Sequence, residues 1–185
     1  DVIPDLAFLA SEPAVPEGPG ASGSEPYVVV NPVSESMWSR ERTRGYLAYL
    51  DTFAHLCEHL MSRGMGVRLA STQDKMDAGA LEYVAGRLAR DRRTSWEYRR
   101  TLLVGEFLQL AAGAELVVSS RLHGLILSMV AGTPVVAVSP MRKMTRLMSD
   151  VGMSTLNIDY DRLSGTALVE ACDRALLERD DLRTR

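Results

Sequence analysis

After residue 26 the chain alternates short β-branched, apolar runs with longer amphipathic stretches, and this alternation constrains the fold more than any other feature. The runs Tyr27–Asn31 (YVVVN), 67–70, 115–119 (ELVVS) and 134–138 (PVVAV) are too short for ordinary helices and apolar at successive positions rather than at every second one. A strand that is apolar on both sides suits a parallel sheet, because helices cover both of its faces. Between the runs, residues 42–63 place Tyr46, Leu47, Leu50, Phe53, Ala54, Leu56, Cys57 and Leu60 at helical spacing, and Gly64 and Gly66 end that helix. Further helices are predicted over 77–92, 106–112, 122–131, 141–151 and 164–178, with Gly113 and Gly132 as stops. Weaker strands are expected at 101–104 and 156–158. The whole implies an α/β, Rossmann-like parallel sheet with helices on both faces and right-handed crossovers.

The first 26 residues break this pattern. Six of the eight prolines, Pro4, Pro13, Pro16, Pro19, Pro26 and Pro32, fall in the first 32 residues. The segment 11–26 (SEPAVPEGPGASGSEP) suits neither a helix nor a central strand, and reads as a linker. The short apolar piece at 6–9 precedes it. The expected organisation is therefore a connecting segment and Pro/Gly-rich linker over 1–26 and one Rossmann-like domain over 27–185. The apolar piece ahead of the linker suggests the end of a preceding half, absent here.

Composition narrows the function. With 21 basic and 24 acidic residues the net charge is −3, which removes an electrostatic case for nucleic-acid binding. Two cysteines, Cys57 and Cys172, make no disulfide framework and read as small buried hydrophobes. No apolar run approaches the roughly 18 residues of a membrane span, so a cytoplasmic location is the default expectation. His55 and His59 stand four apart on a helix, but no acidic or thiol partner is placed to complete a metal site, and none is expected. Arg87, Arg90, Arg92, Arg93, Arg99 and Arg100 alternate with Asp91 and Glu97 and read as a solvated face. Met141, Met144 and Met148 read as core packing.

Ligands of such sheets bind beyond the carboxyl ends of the strands. The residues expected there are Asn31 to Ser34, Ser71 to Asp74, Gly105 and Glu106, Ser119 to Gly124, and Ser139 to Lys143. The fourth group is the strongest. Arg121 and His123 occupy a strand-to-helix turn, where unpaired backbone N–H groups already favour an anion. Arg121 can grip a phosphate or carboxylate through two parallel hydrogen bonds, and an imidazole at 123 can carry a proton near neutral pH. Ser119 and Ser120 offer hydroxyls, while Gly124 either leaves room for a ligand or lets the helix pack closely on the sheet. Ser139 and Lys143 follow the neighbouring strand, from which the ammonium could approach the same anion.

The segment 119–144 (SSRLHGLILSMVAGTPVVAVSPMRKM) resembles the polysaccharide pyruvyl transferase family. Arg121, His123, Gly132, Pro134 and Lys143 fall on that family's Arg-x-His turn, Gly-x-Pro turn and following lysine, and the opening Pro4 to Leu9 is similar to the segment ahead of its second half. The resemblance implies two Rossmann-like halves, as in GT-B glycosyltransferases, with this chain as the second. It implies transfer of a pyruvyl group from phosphoenolpyruvate to a sugar, as a cyclic ketal, with no further cofactor. Arg121 would bind the donor, His123 would supply a proton or assist phosphate departure, and Lys143 would add charge. The acceptor would be a sugar, or a lipid-linked or nucleotide-linked glycan, and a lipid carrier would bring the chain to a membrane surface. The family often has an arginine soon after the first strand of this half. Here Asn31 to Ser36 hold none, and Arg40 is the candidate replacement. Two other readings compete: a nucleotide-sugar glycosyltransferase on the same fold, with Glu106 or the residues near Ser139 holding the nucleotide, and a non-catalytic anion-binding domain.

Overall fold

A computed structural model describes residues 25–35, 45–89, 96–99, 103–139 and 141–183. Residues 11–24 of the linker over 11–26, the apolar piece before it and Arg40 lie outside the described residues. Among the described residues, six strands and seven α-helices follow one another as β1 Tyr27–Asn31, α1 Tyr46–Ser62, β2 Gly66–Leu69, α2 Asp74–Leu88, β3 Trp96–Tyr98, α3 Val104–Ala112, β4 Leu116–Ser119, α4 Leu122–Val130, β5 Val135–Ser139, α5 Arg142–Asp150, β6 Asn157–Asp159, α6 Gly165–Leu177 and α7 Arg179–Arg183. The strands form one sheet in the order β3-β2-β1-β4-β5-β6. Every pairing is parallel. This is the α/β, Rossmann-like arrangement that the apolar runs imply.

The chain winds outward from β1 in one direction and from β4 in the other. α1 packs against α2 and α6, and α3 packs against α4, so the sheet is covered on both faces. Val28, Val29, Val30, Leu116, Val117, Val118, Val135, Val136 and Val138 are all fully buried between the layers. Each contributes on the order of 1.5–3 kcal/mol of burial free energy. Met144 and Met148 join this core from α5, and both cysteines are buried within it. Burial pushes both thiols well above their ordinary range. No helix among the described residues is long and apolar enough to cross a membrane.

Three expectations need correction. The third strand is Trp96–Tyr98, pairing with Val67 to Leu69, whereas Val104 opens α3 and is 59% exposed. Gly66 begins β2 instead of ending α1; Gly64, at φ 78°, ends that helix, as Gly132, at φ 69°, follows α4. Leu47 is not on the buried stripe of α1 but 59% exposed, and Tyr49, at 2%, takes the inner position. The remaining helices and strands lie within a few residues of their expected bounds.

Parallel pairing brings every strand's carboxyl end to one rim. Asn31 stands beside Ser119 in the register of β1 and β4, the two strands at which the winding reverses. A crevice opens at such a reversal, because the flanking helices leave on opposite faces. Buried polar side chains concentrate there: Asn31, Ser71, Asp74, Asp77, Ser119 and Ser120.

Candidate functional site

The turn from β4 into α4 is built by Ser119. Its hydroxyl donates to Asn31 Oδ1 at 2.9 Å and accepts from the Arg121 backbone N–H at 3.0 Å. That pair of bonds ties the strand ends together and fixes where the helix starts. Leu125 N–H is the first to close back, on the Arg121 carbonyl, so the N–H groups of residues 122–124 have no intrahelical partner. His123 sits in this first turn and is exposed, not enclosed in an apolar setting as expected. Gly124 is buried, and a Cβ there would stand 2.4 Å from Ser119 Oγ and 2.9 Å from Asn31 Oδ1. Close packing on the sheet is therefore its role. Gly124→Ala is expected to cost about 1–3 kcal/mol, read as a lower urea midpoint at unchanged m-value. An unchanged midpoint would mean that the turn yields freely.

Arg121 is not free to clamp a ligand with its whole fork. Its Nε donates to Asp77 Oδ2 at 2.9 Å and its Nη2 to Asp77 Oδ1 at 2.6 Å. The side chain of Asp77 is fully buried and that of Arg121 only 11% exposed. A carboxylate with no solvent needs a counter-charge and a full set of donors. Asp77 has both, since the Ser34 backbone N–H at 2.9 Å and the Ser71 hydroxyl also donate to it. The carboxylate thus joins the loops after β1, β2 and β4 into one rigid rim. Nη1 of Arg121 makes no hydrogen bond among the described residues. Thr72 Oγ1, on the same rim, is buried without a hydrogen-bond partner there.

Behind the turn lies a cluster of tyrosines. Tyr49 donates from its hydroxyl to Ser120 Oγ at 2.9 Å and accepts from the Val33 N–H at 2.8 Å. Tyr46 stacks on Tyr49 with centroids 5.8 Å apart, and Tyr160 meets Tyr49 edge-on at 5.2 Å. Burial raises all three phenols, Tyr46 to about 12, so they stay protonated donors at any ordinary pH. The hydroxyls of Ser119 and Ser120 are consequently spent inside the protein, at 0% exposure, and do not line an open site. Ser139, 5% exposed, bonds Asn157 Oδ1.

Lys143 is exposed in the first turn of α5 and makes no hydrogen bond or ion pair among the described residues. Its neighbour Arg142, not Lys143, faces the cleft beyond β5. Glu106 accepts from the Leu103 N–H at 3.1 Å and closes the start of α3. His59 Nε2 lies 3.1 Å from Asp173 Oδ1, and no group of three metal-capable side chains occurs among the described residues. The family model of polysaccharide pyruvyl transferases matches residues 1–140 of the 185, a stretch that holds Asp77, Arg121 and His123 and stops short of Lys143. No curated protein matches the chain.

Proposed function

The chain belongs to the polysaccharide pyruvyl transferase family, a family of transferases, and from that premise we propose that its rim binds phosphoenolpyruvate and passes the pyruvyl group to two hydroxyls of a glycan. One observation carries the reading: Asp77 pins Arg121 through Nε and Nη2, leaving Nη1 without a hydrogen bond among the described residues, on the residue that precedes α4, whose first turn bears His123. A guanidinium edge and the backbone N–H groups of the first turn of α4 suit a small doubly charged acid. Pinning removes the entropy that a mobile arginine would lose on binding.

The chemistry follows from the substrate. A protonated imidazole at 123 delivers its proton to the methylene carbon of the donor, using the electron pair of the double bond. The neighbouring carbon becomes an oxocarbenium, and one sugar hydroxyl adds to it. Phosphate leaves with its bonding pair, and a second hydroxyl adds at the same carbon to close the ketal. Of the two hydroxyl protons lost, one restores the imidazolium and the other leaves on phosphate. Nη1 of Arg121 and the N–H groups of α4 hold the donor's negative charge throughout.

Thermal unfolding with phosphoenolpyruvate tests the donor. At a concentration near a hundred times Kd, linkage contributes about 2.7 kcal/mol, a rise in Tm of roughly 5–10 °C for a domain of this size. UDP-sugars are expected to leave Tm unchanged. Stabilisation by UDP-sugars with no response to phosphoenolpyruvate would replace this reading by the nucleotide-sugar one.

A further inference from the structure

A cleft of about 640 Å³ opens beyond the carboxyl ends of β5 and β6, apart from the Arg121 turn. One wall is a stripe of α5 at helical spacing: Arg142, Thr145, Arg146, Ser149 and Asp150. The opposite wall is the 3-10 turn after β6, from Asp159 to Arg162. Met144 and Met148 hold α5 on the core by its other face, so the polar stripe is fixed toward the cleft.

The charges of this cleft are unequally spent. Arg146 is 3.7 Å from Asp150 and is already paired. Asp159 accepts the Thr145 hydroxyl at 3.1 Å through one oxygen only. Arg142 and Arg162, one on each wall, form no ion pair or hydrogen bond among the described residues. Two unspent guanidiniums suit one acidic group. The carboxylates around them repel a second negative charge and accept hydrogen bonds from hydroxyls. The volume exceeds that of a single small anion and falls in the range of ligand pockets, about 300–1,000 Å³.

We propose that this cleft binds a sugar bearing a single acidic group, a carboxylate or a phosphate ester, with Arg142 and Arg162 on the acid and Asp159 on ring hydroxyls. Tyr160 lines the cleft and meets Tyr49, which in turn bonds Ser120, the residue before Arg121. The cleft and the rim are thus linked through Tyr160 and Tyr49, and the role of the cleft, as a subsite for an acidic unit of the acceptor glycan, rests on the transferase reading. The binding itself does not.

Titration calorimetry with glucuronic acid, glucose 1-phosphate, glucose and inorganic phosphate tests it on the whole chain and on Arg142→Ala/Arg162→Ala. Both arginines are exposed, and circular dichroism checks that the variant stays folded. At least one acidic sugar is expected to bind about tenfold tighter than glucose and than inorganic phosphate, the worth of one charge-assisted hydrogen bond. The double variant should erase that preference. Preference for glucuronic acid assigns a carboxylate, and preference for glucose 1-phosphate a phosphate ester. Equal affinity for glucose, equal affinity for bare phosphate, or an unaffected double variant would overturn the proposal. Loss of the phosphoenolpyruvate response with acidic-sugar binding intact would strike the transferase reading alone.

Discussion

Asp77→Ala is expected to destabilise the domain by about 3–5 kcal/mol, a large part of the 5–15 kcal/mol that holds a typical domain together. The cost does not come from losing an attraction. An ion pair this deep roughly offsets its own desolvation while intact. It comes from what is left behind: the Arg121 guanidinium, 11% exposed, without a counter-charge, and the Ser34 N–H and Ser71 hydroxyl without their acceptor. Asp77→Asn keeps the shape but presents an amide N–H₂ toward donors, and should fall between alanine and wild type. Urea unfolding of both variants reads the effect. A loss below about 1 kcal/mol would mean that Arg121 swings out to water, and then it would not be a fixed element of the rim. A double-mutant cycle with Arg121→Ala should show strong coupling, because each partner is costly mainly in the absence of the other.

The importance of Asp77 was visible in the sequence as a misplaced charge. Asp77, Ala80, Leu81, Val84 and Leu88 are one face of α2, and all are buried. A carboxylate on an apolar stripe has to find a cation. The helix starts at Asp74 rather than at 77, so Asp77 lies one turn inside it and not at its end. Tyr49 was overlooked for the same reason of phase. It stands four residues before Phe53 on the inner face of α1, where Leu47 is not.

What the sequence made legible was whatever depends on local pattern. β1, β4 and β5 are central, covered on both faces, and so apolar at successive positions. β3 is a half-buried edge strand of three residues, and nothing selects for an apolar run at such a place. Of the weak strand expected at 101–104, Thr101 and Leu102 lie outside the described residues, and Val104 opens α3 instead. Arg121 and His123 were legible because they interrupt an apolar strand and an apolar helix. The partner of Arg121 was not, since Asp77 lies 44 residues away in the chain. The same limit explains Arg142. On a helix, adjacent residues point about 100° apart, so the cleft receives Arg142 and Arg146 while Lys143 lies off that stripe.

His123→Ala is expected to lower turnover by about 10²–10⁴-fold, the usual worth of a positioned general acid, with the fold retained. The two expectations are linked through geometry. His123 is exposed in the first turn of α4, while the bonds that build that turn belong to Ser119, Asn31 and the Arg121 backbone. Removing the imidazole therefore leaves the turn standing and the pinned guanidinium in place. Phosphoenolpyruvate affinity should fall little, because the proposed charge-bearing contacts are with Nη1 and the helix N–H groups. The loss should appear in kcat and not in KM, the pattern of an interaction made only in the transition state. His123→Gln separates the two things an imidazole offers: it keeps a hydrogen-bond donor and acceptor but holds no transferable proton. If proton delivery is the role, glutamine fails as badly as alanine. Recovery of most activity in His123→Gln would reassign residue 123 to orienting the departing phosphate. Full activity in both variants, measured as phosphate release with a glycan acceptor, would remove it from the chemistry altogether.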